Sequence, residues 1–125
     1  MLDKAIVTAL VGTGQPFEIA KKFYGETLGL KFIGEDTYAC VFEGKNARVR
    51  VSRVPAVVPA NYAVLAFAVD DIAATVSALT AKGVLFQRYG FFVQDAHGVW
   101  TAPSGDKVAW FLDPDLNLLS VVQHA

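Results

Sequence analysis

A chain of 125 residues is one domain by length, and a net charge of −1 with no extended basic run makes it a poor partner for nucleic acid. Apolar residues make up 54% of it and charged residues 18%, an excess that must go into a large core, a lined pocket or a subunit interface. The single Cys40 excludes an internal disulfide and suits a reducing cytoplasm. No segment has the length of a membrane span, and Met1–Lys4 opens no secretion signal.

Ala5–Val11 is apolar on both faces, as a buried strand would be. Gly12–Pro16 breaks it. The run has two glycines before a helix, but it lacks the third glycine and the later acidic residue of a dinucleotide loop. Pro16 suits a helix start, and Phe17, Ala20, Tyr24 and Leu28 recur at helical spacing. Gly29 is placed to end that helix in the left-handed conformation. Strands are expected over Leu30–Gly34, Tyr38–Phe42 and Ala47–Val54, with turn chemistry at Gly44-Lys45-Asn46.

Pro55–Asn61, with two prolines near the midpoint, reads as a linker, and the pattern then restarts. Tyr62–Val69 is β-rich. Asp70-Asp71 puts a carboxylate at the head of the next helix, which Ile72, Val76 and Leu79 mark with an apolar stripe. Gly83 ends it, and Val84–Phe86 reads as a strand. Val108–Leu112 and Leu118–Val122 are strands joined by Asp113–Asn117. Setting Gly29 on Gly83 aligns Leu30-Lys31-Phe32 with Val84-Leu85-Phe86, and Ala20 with Ala74.

The half-length repeat gives an α+β fold of two βαβββ modules, about 1–54 and 62–125 around the linker 55–61, within one domain, 1–125. Each unit alone leaves one sheet face without a helix. Two such units are expected to pair into a half-open barrel with a pocket on its concave face.

Three segments in order carry a family likeness: Phe23-Tyr24 with Leu28-Gly29-Leu30, then Phe67–Ile72, then Val108–Leu119. They resemble the vicinal oxygen chelate superfamily, which holds glyoxalase I, extradiol dioxygenases and bleomycin- and fosfomycin-resistance proteins. The likeness spans essentially the whole chain and is greatest to small bacterial members. It implies the paired-module fold. It also implies where metalloenzyme members carry ligands: a His at the position of Val64, a Glu at that of Ser120, and a first-strand ligand near Thr8 or Ala9. None of these residues binds a divalent cation as His or carboxylate would, and a catalytic site needs about three such ligands. The only histidines are His97 and His124. No metal and no cofactor are therefore expected. The family turn usually has Gly where this chain has Leu116, and Asn117 is the residue expected to take the left-handed conformation instead.

On the third strand Arg48, Arg50 and Ser52 alternate with Val49, Val51 and Arg53. The valines should meet the helix, leaving Arg48 and Arg50 as an anion clamp or, the favoured alternative, as charges on a solvated strand. Tyr38, Tyr89, Phe91, Phe92, Trp100 and Trp110 are further candidates to line a pocket for a planar or hydrophobic ligand. Each is also ordinary core material. Of Trp110 and Phe111, one must face away from the helix. His97 is read as an exposed loop side chain, and Cys40 as a buried strand residue.

The ligand-binding candidates are Tyr38, Arg48, Arg50, Val64, Trp100, Trp110 and Ser120. The leading expectation is a metal-free cytoplasmic protein, a homodimer, that binds a small hydrophobic or aromatic molecule. A lyase or dioxygenase with an altered metal site and a non-catalytic assembly module stay open. Whether any reaction is catalysed is not decided by the sequence.

Overall fold

The computed structural model describes residues 1–125 as two compact units, Met1–Val58 and Pro59–Ala125. In the first, strand β1 (Val7–Thr13) leads into a helix that begins at Pro16. The helix is α-helical over Phe17–Ala20 (α1) and continues with the wider turns of a π-helix over Lys21–Thr27. Strands β2 (Lys31–Glu35), β3 (Ala39–Glu43) and β4 (Ala47–Arg53) follow. In the second unit β5 (Leu65–Ala68) leads into α2 (Ile72–Ala81). Strands β6 (Trp100–Thr101), β7 (Lys107–Leu112) and β8 (Leu118–Gln123) complete it.

Each unit holds a four-stranded sheet, and the repeat is visible in the topology. The orders are β1-β4-β3-β2 and β5-β8-β7-β6. In both, the first strand pairs in parallel with the last and the remaining pairs are antiparallel. The fold is α+β, and neither sheet closes on itself.

The alternation of side chains decides which face each helix covers. Val49 and Val51 of β4 are buried with Val11, Cys40 and Phe42, and onto them pack Phe17, Ala20 and Tyr24. Tyr24 meets the ring of Phe42 at 5.7 Å. In the second unit Ile72, Val76 and Leu79 face Ala109, Phe111, Leu119 and Val121. Phe42 and Phe111 are both fully buried; each such ring contributes roughly 1.5–3 kcal/mol relative to exposure.

The helix ends follow local chemistry. Asp71 is the N-cap of α2, accepting from the Ala74 N–H at 3.0 Å, and the Gln123 side chain accepts from the Ile72 N–H at 2.9 Å. Gly29 and Gly83 take φ of 78° and 93° after the two helices.

Two local readings are corrected. Val84–Phe86 does not form a strand; Phe86 makes a single bridge to Phe111, and the neighbouring Gln87 N–H bonds the Trp110 carbonyl at 2.8 Å. The free edge of β7 is divided between that bridge and the two residues of β6, so no continuous partner forms there. At the β7–β8 turn Leu116, not Asn117, takes the left-handed conformation, with φ of 69°. Asn117 is already committed: its backbone N–H and its side-chain amide both donate to the Asp113 carboxylate at 2.9 Å. Asp113 also accepts from the Asp115 N–H, so one buried carboxylate organises the whole turn.

Candidate functional site

On the first sheet the face away from the helix is set by β4. Its register puts Arg48 between Thr8 and Glu43, and Arg50 between Leu10 and Val41. Ile33, Gly34, Glu35, Asp36, Ala39, Val41, Arg48 and Arg50 surround a cavity of about 260 Å³.

Its charges are largely answered from within. The Arg48 Nε lies 3.5 Å from the Glu43 carboxylate, a partner the sequence did not reveal. Glu35 pairs with Lys21, whose ammonium is held above its ordinary pKa by that bond and lies over the Phe32 ring. Asp36 accepts the backbone N–H groups of Tyr38 and Ala39 at 2.8 and 3.0 Å. These bonds, with Arg50 acting from farther away, hold its carboxyl below the ordinary value. Of the two arginines, Arg50 is in no ion pair. Tyr38 is not among the lining residues. It precedes β3 opposite Arg53, is 72% exposed, and its carbonyl accepts the Arg53 N–H.

The second sheet gathers the other four candidates. Trp110 lies directly across from Ser120, and Ser120 directly across from Ala66. Strand alternation puts Ala66, Ser120 and Trp110 on one face, away from α2, and Val64 lies just before β5 with its N–H bonded to the Leu118 carbonyl. Phe111 takes the helix side. Ser120 is buried, and its hydroxyl donates to the Leu65 carbonyl at 3.4 Å. Trp100 on β6 reaches the same face, its ring 6.1 Å from that of Trp110.

The loop between α2 and β6 supplies further rings. Phe92 lies parallel to Trp110, with an interplanar angle of 1° and a centroid distance of 5.1 Å, and 4.4 Å from Trp100. Tyr89 meets Trp110 edge-on at 5.5 Å, and burial pushes its phenol pKa up. The loop is clasped by Gln94. Its amide nitrogen donates to the carbonyls of Gln87 and Gly98, and its amide oxygen accepts the Tyr89 N–H. Asp95 accepts the N–H groups of His97 and Val99, and His97 itself is exposed.

The sequence names Phe92 among the aromatic residues near the second sheet but not its stacking on Trp110, and it gives Gln94 no role. The only available signal was a polar, hydrogen-bonding residue inside an aromatic-rich loop. Cys40 is wholly buried, and that burial pushes its thiol pKa up, as befits a structural residue and not a nucleophile.

The donor chemistry of these faces does not fit a divalent metal ion. Val64 presents an aliphatic side chain, and the Ser120 hydroxyl is already bonded to the Leu65 carbonyl. No three His, Cys, Asp or Glu side chains gather into a possible metal site.

The fold recurs in solved structures. A glyoxalase/bleomycin resistance protein/dioxygenase superfamily member from Sphaerobacter thermophilus DSM 20745 matches with a TM-score of 0.75 at 19% identity, over 99% of this chain and 100% of that one. The glyoxalase family protein from Enterococcus faecalis matches at 0.73 and 21%, over 98% and 99%. A lactoylglutathione lyase from Agrobacterium tumefaciens matches at 0.72 and 15%, over 96% and 93%. At these identities the likeness is one of fold. No curated protein matches the sequence. The family model of the Glyoxalase/Bleomycin resistance protein/Dioxygenase superfamily matches residues 14–121, nearly the whole chain, and the chain belongs to that superfamily.

Proposed function

We propose that this superfamily member binds a small hydrophobic or aromatic molecule without a protein-held metal ion. One observation carries the reading: the helix-free face of the second sheet presents Trp100 and Trp110 beside Ser120, aromatic surface with no cation donors. Flat apolar rings favour stacking with a flat apolar ligand. Within the first unit by itself, Arg50 supports binding of an anion in its own cavity, because Arg48 is already met by Glu43. The exposed apolar side chains of Ile6, Val7 and Leu10 support assembly as a homodimer. The lone reduced cysteine suits a cytoplasmic setting. No helix is long and apolar enough to cross a membrane.

Two measurements on the purified protein test the reading together. Elemental analysis should find no stoichiometric divalent metal. Thermal unfolding against a panel of small aromatic compounds should reveal at least one that raises the melting temperature, by mass action on the folded state. A stoichiometric metal lost on replacing Ser120 with Ala would overturn the proposal in favour of a metal-dependent enzyme.

A further inference from the structure

We infer that Phe92 occupies the stacking position of the ligand, and that the site takes a planar aryl group in its place. This rests on the binding role proposed for the Trp face and adds the class of ligand and the residue that competes with it.

The phenyl ring of Phe92 is held as a bound arene would be. It is parallel to Trp110 and tilted by 31° against Trp100, with the Phe91 and Tyr89 rings at 4.6 and 6.2 Å. Both tryptophans lie on the sheet, whereas Phe92 lies on a loop. The loop has its anchorage elsewhere. Gln94 ties Gln87, Tyr89 and Gly98 to one another, and Arg88 donates to the Ala96 carbonyl. Those bonds fix the base of the loop. Within the tip, Gly90 to Val93, the Phe92 N–H bonds the Tyr89 carbonyl, the Gln94–Trp100 bridge closes its far end, and its Phe91 and Val93 side chains are 79% and 89% exposed. The tip can therefore move while the clasp stays closed. Trp100 also walls a groove of about 580 Å³ with Val93, Gln94 and Thr101, which gives an entering molecule room beside the stack.

The chain has only two tryptophans, and both are in this site. Their indole N–H resonances report on it without interference. The test titrates 2-naphthol into the wild-type protein and into Phe92→Ala, following those two resonances, with the dissociation constant taken from calorimetry. Removing the competing ring should tighten 2-naphthol about tenfold, the scale of one or two lost ring contacts. The saturated, non-planar decahydro-2-naphthol should bind Phe92→Ala at least about tenfold more weakly than 2-naphthol does. Phe92→Leu keeps an apolar anchor without a flat ring. It should fall between the two proteins, and it carries the comparison if Phe92→Ala does not fold.

Indole shifts in every protein with unchanged affinity would sink the role of Phe92 and leave the Trp face as a ligand site. Indoles that respond in none of them would sink both. Equal affinity for the flat and the saturated compound would remove the planar class.

Discussion

The two sheets share one strand order but differ in the face turned away from the helix. On the first, alternate positions carry Arg48, Arg50 and Val41 around a small cavity whose charges are mostly matched by Glu43, Lys21 and backbone N–H groups. On the second, the corresponding face carries Trp110 and Ser120, and a loop ring is laid on it. The helix-covered faces remain alike, aliphatic and aromatic in both. The scaffold is thus held by one set of alternate residues, and the other set is free to diverge into charge in one unit and rings in the other.

The largest effects should come from the shared half of this pattern. Phe42→Ala and Phe111→Ala each remove a fully buried ring, and each should cost about 3–5 kcal/mol in urea unfolding. A small loss in one unit only would mean the two cores are not equivalent supports. Next in size is Gln94→Ala, which strips three hydrogen bonds from the loop of the second unit alone. It should cost about 1–3 kcal/mol and speed amide exchange at Tyr89, with exchange at Val41 in the first unit unchanged.

Leu116→Gly should move the other way. Its backbone is in the left-handed region, so relieving the Cβ should stabilise the protein by about 0.5–1 kcal/mol even after the added chain entropy, read as a higher urea midpoint. The smallest effect is expected at the charged face. Asp36→Asn should slightly lower neutral-pH stability, leave stability in acid unchanged, and so flatten the acid limb of the stability curve. The wild-type carboxyl is depressed in the fold, so its contribution is present above the unfolded pKa and lost as pH falls through the folded one. A midpoint in acid that the variant does not move would assign that limb to other carboxylates.

How much of this was legible in the sequence depends on how far each cause lies from its effect. Gly29, Gly83, Asp71 and the Val/Arg alternation of β4 announce themselves because cap and strand chemistry act within a few residues. The superfamily followed from three such segments in order. The β6 edge was misread at Val84–Phe86, since whether an apolar run pairs along its length depends on what else competes for β7. Asn117 was misassigned because its fate is decided by the carboxylate of Asp113, four residues away on the other side of the turn. At the candidate site, Val64, Ser120, Trp100 and Trp110 could be named from position; the β7–β8 register sets Trp110 across from Ser120, and β6 brings Trp100 beside Trp110. The stacking of Phe92 could not be read, because a loop's docking is fixed by long-range packing and leaves no periodic trace.

The parallel pairing of the first and last strand in each unit has a consequence for how the chain acquires its structure. Residues Val7 and Ala47, or Leu65 and Leu119, must meet across long stretches of chain, whereas β3–β4 and β7–β8 need only a short turn. The hairpins should consequently nucleate, with β1 and β5 docking last against strands already in place. Mutations in the Asp113 turn should then slow refolding, while those in β1 chiefly hasten unfolding; stopped-flow chevrons with the reverse partition would show that the distant strands meet early.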